Sequence, residues 1–203
     1  MLSIDPKQQT ERENYKFLIG SIIPRPIAFI TSESADGVLN GAPFSFFNIV
    51  SSNPPMISVG IQRKAGKRKD TARNIISKKQ FVVHVVSEPF LKQINETAAN
   101  LPAEESEIQR AGLTPVASTK IDVPGIAEAK VRLECVLEHA LSLGGEEDTP
   151  GVDLIIAKVV QFHIDEDIYE EGYINPEKLQ AVSRLAGNDY ATIGSITTMA
   201  RPQ

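Results

Sequence analysis

A chain of 203 residues, 41% hydrophobic and 23% charged, can bury one ordinary core and cover it with a soluble surface. No run approaches ~18 consecutive apolar residues, which sets aside a membrane-spanning helix, and the opening MLSIDPKQQTEREN lacks the basic-then-apolar order of a signal peptide. A net charge of −5 argues against the basic face that nucleic acid requires, and a lone cysteine, Cys135, argues against a disulfide framework and suits a reducing, cytoplasmic setting.

The first predicted element is a short polar helix over Glu11 to Leu18, docked by Tyr15, Phe17 and Leu18. Pro24 and Pro26 flank Arg25 and force an extended lead-in to an apolar strand, Ile27 to Ile30. Ser34-Ala35-Asp36-Gly37 reads as a turn in which Gly37 can take positive φ, so its flanks pair as a hairpin. The stretch from Asn40 to Asn48 (NGAPFSFFN) reads as a loop interleaving polar and aromatic side chains. Pro54-Pro55 cannot donate ladder hydrogen bonds and marks a boundary before a second apolar strand, Met56 to Ile61.

A basic run follows. Arg63, Lys64, Lys67, Arg68, Lys69 and Arg73 stand against the single acid Asp70, a net +5 within a chain of net −5. That asymmetry points to one anionic ligand site on an acidic protein. Asp70 is read as the N-cap of a helix continuing to about Lys78. A third apolar strand covers Phe81 to Val86. Two helical stretches come next, Phe90 to Asn100 and roughly Ala103 to Ala111, broken by Leu101-Pro102 and Gly112.

A connector marked by Pro115, Pro124 and Gly125 leads to the longest predicted strand, Ala129 to Leu143. Val131, Leu133, Cys135, Leu137 and His139 fall on one face, with Arg132, Glu134, Val136 and Glu138 mostly on the other. An acidic loop, Gly144 to Gly151, precedes a further strand, Val152 to Asp165, and the pattern is irregular beyond Ile168. Strands succeed one another with helices inserted in two places. That order predicts a mainly β fold, an antiparallel sheet curled into a barrel, as one domain over residues 1–203.

Several chemistries find no support. No G-x-G-x-x-G is present, and Gly60 to Lys67 misses the P-loop spacing, with Arg68 where a magnesium-binding hydroxyl belongs. His84, His139 and His163 lie far apart with no metal-like spacing; His139, on an apolar face, reads as a satisfied core or cofactor-edge histidine. The Asn40–Asn48 loop has two readings, a turn with aromatic core anchors or a cradle for a flat ring and a polyol chain. The basic run likewise reads either as a solvated surface loop or as an anion site. In the second reading Lys67, Arg68 or Lys69, the Thr71 hydroxyl and the first helical N–H groups converge on one phosphate.

The motifs PRPIAFITS, DG, NGAPFSFFN, NPP and KDTARNI, in that order, resemble the flavin reductase-like family with the FMN-binding split-barrel fold. VRLECVLE, VDLIIAKVVQFHIDEDI, SRLAGNDYATIG and TMARP extend the resemblance from Tyr15 to Pro202. It implies a six-stranded antiparallel Greek-key barrel with helical insertions, a homodimer, and FMN bound near the subunit boundary. It further implies that Ser45, Phe46 and Asn48 line the flavin, that Thr31 and Ser32 lie along it, and that Lys69, Thr71 and Asn74 hold its phosphate. Arg184 and Tyr190 match a late Arg…Tyr pattern near the flavin. His84 departs from the family's usual Asn, and Ala186 stands where a second Gly is common. The implied activity passes electrons from NADH or NADPH through FMN to free flavin, a partner oxygenase or ferric iron. The alternative is a flavoredoxin-like electron carrier that serves a redox partner without oxidising nicotinamide itself. No catalytic side chain is assigned in either case.

Overall fold

Alternating apolar segments too short for helices leave the backbone to pair between strands, and closing the sheet on itself buries one face of each. The computed structural model describes residues 1–99, 102, 105–146 and 148–202. Helix α1 (Glu11–Ser21) leads into a two-residue strand, β1 (Arg25–Pro26), then β2 (Ala28–Glu33), β3 (Leu39–Phe44), β4 (Phe47–Ser52) and β5 (Pro55–Gln62). Helix α2 (Asp70–Lys78) precedes β6 (Gln80–Val85), and the short helices α3 (Leu91–Glu96) and α4 (Glu107–Arg110) follow. A small pair, β7 (Pro115–Val116) and β8 (Gly125–Ile126), then precedes the long hairpin β9 (Val131–Glu146) and β10 (Thr149–Ile164). The last elements are β11 (Tyr169–Glu170), β12 (Tyr173–Ile174), α5 (Pro176–Leu179), β13 (Val182–Arg184) and β14 (Tyr190–Thr192).

The main sheet runs β3-β2-β6-β9-β10-β5-β4, with every neighbouring pair antiparallel. The expected mainly β, antiparallel class is therefore seen, with seven strands in place of six. The extra strand comes from the supposed loop. Leu39–Phe44 pairs with β2, and Phe47–Ser52 pairs with β5. Asn40, Gly41, Pro43 and Ser45 disguise this because β3 and β4 are the two ends of the hydrogen-bonded order, where proline and glycine are tolerated. The hairpin at Gly37 forms as expected, with Gly37 at φ 83°.

Strand β2 is buried from Ala28 to Ser32 because both its faces are covered. Ala28 and Ile30 point into the barrel with Phe81, Val83, Leu133, Ile155 and Ala157. Ile27 and Phe29 point the other way, under α3 and α4, with Phe90, Ile94 and Ile108. On β9, Val131, Leu133 and Cys135 face inward as read. Glu134, read onto the opposite face, is 0% exposed, because the connector covers it and Thr119 N–H (2.7 Å), Lys120 N–H (2.7 Å) and His163 Nε2 (2.6 Å) bind its carboxylate. His139 is exposed, since the hairpin beyond Leu137 projects past the barrel. His84 is the satisfied core histidine. Its Nδ1 lies 2.9 Å from Phe29 O and its Nε2 accepts Ile126 N–H at 3.0 Å. Burial lowers its pKa to about 3, so it stays neutral.

Helix α1 runs three residues past its expected end, opened by a capping box between Thr10 and Glu13. It docks through Ile19, not through Tyr15, Phe17 and Leu18, which are exposed. The helix end is held by the Arg25 guanidinium, which donates to Ile19 O (2.6 Å), Ile22 O (2.7 Å) and Leu185 O (2.8 Å). Of the two expected middle helices, the described parts are α3 and α4; Asn100, Leu101 and Ala103 lie outside the described residues. The expected acidic loop is mostly strand, with Gly144 and Gly145 at positive φ near the hairpin tip. The irregular tail folds back in part, burying Ile168 in the barrel core and Val182 in the outer cluster.

Candidate functional site

Where β5 leaves the barrel, Arg63 turns onto Asp153 of β10, donating from Nε at 2.9 Å and Nη2 at 2.6 Å. Arg68 Nε reaches the same carboxylate at 3.1 Å. Asp153 is 1% exposed. Burial works to raise its pKa, but the two arginines prevail and hold it below the usual range. Arg73 pairs with Asp70. Half of the basic run is thus already compensated.

The lysines are not. Among the described residues no acidic group lies within ion-pairing distance of Lys64, Lys67 or Lys69. All three line a cavity of about 330 Å³ with Asn40, Phe44, Arg68, Asp70, Thr71 and Glu107. Lys69 Nζ lies 5.6 Å from the centroid of the Phe44 ring. Burial, and then the charge of Lys64, lower the pKa of Lys69. Lys69, not Asp70, is the N-cap of α2, and its side chain caps nothing. Lysine is too long and lacks the acceptor oxygen that a cap requires, so the first N–H groups of α2 have no side-chain partner there.

A second cavity of about 220 Å³ shares Pro43, Phe44 and Ala98 with the first and is lined also by Ser45, Ile94, Asn95, Arg184 and Tyr190. The Arg184 guanidinium stacks 4.4 Å from the Tyr190 ring centroid, and the Tyr190 hydroxyl donates to Asn95 Oδ1 at 3.2 Å. Antiparallel pairing of β13 with both β1 and β14 brings this late pair to the groove. The two cavities form one groove over Phe44, cationic at one end and aromatic at the other.

The expected site residues divide into three sets. Ser45, Lys69, Thr71, Arg184 and Tyr190 line the groove. Thr31, Ser32 and Asn74 are buried and line neither cavity, each 8% exposed or less; the Thr31 hydroxyl donates to Pro124 O at 2.7 Å, and Asn74 Nδ2 contacts Ser32 Oγ at 3.4 Å. Phe46 and Asn48 line neither cavity. Phe46 packs over Gly60, and Asn48 is exposed with its Oδ1 accepting Ile49 N–H at 2.8 Å. Thr71 lines the groove and is 1% exposed. Its hydroxyl donates to Asn40 Oδ1 at 2.8 Å.

Sequence reasoning gave no role to Asn40, Glu107 or Asp153. Asp153 carried a signal, an acid inside the apolar run VDLIIAKVV that can only be buried if it is paired. Glu107 carried none, because its partners Asn40 and Gly41 lie more than sixty residues away. Among the described residues no three His, Cys, Asp or Glu side chains are grouped to hold a metal ion, and no helix is long and apolar enough to cross a membrane.

A family model described as the flavin reductase like domain matches residues 19–182, which leaves Arg184 and Tyr190 just outside the matched span. The chain is 59% identical to nitrilotriacetate monooxygenase component B from Bacillus cereus, with a TM-score of 0.97 over 98% of both chains. It is 28% identical to the 2-nitrobenzoate 2-nitroreductase NbaA of Pseudomonas fluorescens, with a TM-score of 0.88 over 99% of this chain and 96% of that one. A split-barrel structure from Shewanella frigidimarina NCIMB 400, 18% identical with a TM-score of 0.84 over all of both chains, shows the same fold. By sequence match and by architecture, this split-barrel chain belongs to the flavin reductase-like family.

Proposed function

We propose that the groove binds FMN and that the protein is a flavin reductase-type oxidoreductase, passing electrons from NADH or NADPH to an acceptor. The observation that carries this reading is the uncompensated lysine lobe joined to an aromatic lobe in a chain of this family. The residues present fit the group. Lys64, Lys67, Lys69 and the backbone N–H groups opening α2 match a phosphate monoester of about −1.5 to −2 charges. Phe44 and the Arg184–Tyr190 stack supply flat apolar and cationic walls. FMN would supply the hydride and single-electron chemistry, and the protein's side chains bind it, orient it and exclude water.

The acceptor we favour is a partner oxygenase or the free flavin that serves one. Support comes from the 59% identity to a protein named as component B of a monooxygenase. We place the protein in the cytoplasm as a homodimer and a single functional domain. Ile49 and Val50 on β4, 77% and 50% exposed, offer an apolar face beside Phe46 and Asn48. Pairing of two copies there would cover it and bring those two residues to a flavin at the subunit boundary.

Anaerobic mixing of the FMN-loaded protein with NADH or NADPH tests the function. Bleaching of flavin absorbance by either nucleotide supports the reductase. A loaded protein that neither nucleotide bleaches, yet that exchanges electrons with a chemical reductant, would be a carrier instead. Light scattering at twice 22.2 kDa tests the dimer.

A further inference from the structure

The floor of the lysine lobe is closed by a carboxylate, an odd neighbour for an anion. Glu107, at the start of α4, is 8% exposed and lines the same cavity as the three lysines. Its Oε2 accepts the Asn40 amide N–H at 3.0 Å and the Gly41 backbone N–H at 3.3 Å. That fixes the Asn40 carbonyl toward α2, where its Oδ1 accepts the Thr71 hydroxyl at 2.8 Å and the Ser32 hydroxyl at 3.3 Å. The relay Glu107–Asn40–Thr71 therefore ties α4 to β3 and β3 to the first turn of α2. Gly41 permits the close approach: a Cβ there would lie 2.4 Å from Ile108 Cδ1 and 2.8 Å from Phe29 Cζ.

We propose that Glu107 is a positioning residue for the lysine lobe. Through Asn40 it pins the first turn of α2 and keeps the Thr71 hydroxyl donating to Asn40 Oδ1, so that an anion is met by the lysines and the backbone N–H groups of that turn and not by this hydroxyl. This inference rests on the lobe being the phosphate end of the flavin site. What the relay needs from Glu107 is an acceptor oxygen, not a charge. One carbonyl oxygen of glutamine can accept both N–H groups that Oε2 now accepts. The negative charge itself opposes a phosphate. Burial already holds the carboxyl above its ordinary pKa, while the bonds from Gly41 and Asn40 act in the opposite direction.

The test uses the full chain and compares affinities for FMN and riboflavin by quenching of flavin fluorescence. Riboflavin lacks the phosphate and reports on the rest of the groove. Glu107→Gln is expected to keep or increase the wild-type preference for FMN. Glu107→Ala and Thr71→Val should each lower that preference roughly tenfold with riboflavin affinity unchanged. The double variant should be no worse than either single one, because both break one relay. An additive double variant would overturn the relay and make Thr71 a direct ligand. Wild-type FMN preference in Glu107→Ala would overturn it too. If Glu107→Ala does not fold, Glu107→Leu takes its place: a lost FMN preference is expected, and a wild-type preference overturns the relay. A loss in Glu107→Gln sinks the proposal in either case. Equal affinity of the wild type for FMN and riboflavin would instead defeat the phosphate reading of the lobe, and the proposal with it.

Discussion

The two sides of the basic loop carry the same sign of charge and have opposite uses. On the barrel side, Arg63 and Arg68 converge on the buried Asp153. On the groove side, Lys64, Lys67 and Lys69 line a cavity that Arg68 also edges, and among the described residues no acidic group lies within ion-pairing distance of the three lysines. Guanidinium is planar and binds a carboxylate with two parallel N–H groups, so it suits a fixed structural pair. Ammonium is a compact charge on a flexible stem, able to meet an oxygen cluster that comes and goes. A run of like charges in sequence can thus be half scaffold and half site, and the counter-ion on the neighbouring strand decides which residue is which.

The largest expected effect breaks the scaffold side. Asp153→Ala leaves two guanidinium groups without their acceptor and should cost about 3 kcal/mol of stability in urea unfolding. It should also weaken FMN binding, because the loop that presents the lysines loses its anchor. Because the folded carboxyl is held low, its contribution is present above the ordinary Asp value of about 4 and is lost as pH falls through the folded value. The Asp153→Ala protein should lack that acid-sensitive part of the stability curve.

Next in size is the groove side. Lys69→Met, which keeps the stem and removes the charge, should weaken FMN roughly tenfold in calorimetry while leaving riboflavin affinity and urea stability nearly unchanged. In the free protein the lowered pKa of Lys69 means its charge is lost at a lower pH than that of an ordinary lysine. FMN affinity should therefore decline on the alkaline side earlier than the basicity of a free lysine would suggest, and Lys69→Met should remove that early decline. An FMN affinity indifferent to Lys69→Met would move the phosphate elsewhere.

Salt sharpens the contrast. Raising ionic strength from ~0.05 to 0.5 M should lower FMN affinity several-fold, because the groove cations are open to solvent. The Arg63–Asp153 pair is screened far less, and urea stability should hardly move. The smallest effect separates the two arginines. Arg63, whose side chain is 10% exposed and doubly bonded, should lose urea stability measurably as Arg63→Lys, since lysine cannot make the two parallel N–H bonds. Arg68, 43% exposed, should lose less than about 0.5 kcal/mol as Arg68→Lys. Equal losses would mean that the carboxylate does not distinguish them.

Much of this molecule could be read from local pattern. The apolar segments at 27–30, 56–61 and 81–86 are strands, shifted or extended by one to three residues at their ends, because short apolar runs bounded by turn signals suit a buried extended chain. The helix ending at Lys78 and the hairpin at Gly37 follow from local backbone chemistry in the same way. The clustering of charge between Arg63 and Arg73 marked one end of the groove. Other features depend on residues far apart in the chain. Whether Asn40–Asn48 is loop or strand depends on partners in β2 and β5, and edge positions relax the very rules that make Pro43 and Gly41 look like breakers. His139, read as a core or cofactor-edge residue, is exposed and Glu134 is buried, because the hairpin carries one part of β9 beyond the barrel and a connector covers the other. The division of labour among six cations was settled by Asp153, some ninety residues on from Arg63. Sequence by itself determined the apolar strands, the helix that ends at Lys78 and where positive charge is concentrated, since these are properties of neighbouring residues. Tertiary structure alone decided which charges are paired and which face the groove, because a counter-ion acts through space and its distance along the chain carries no information.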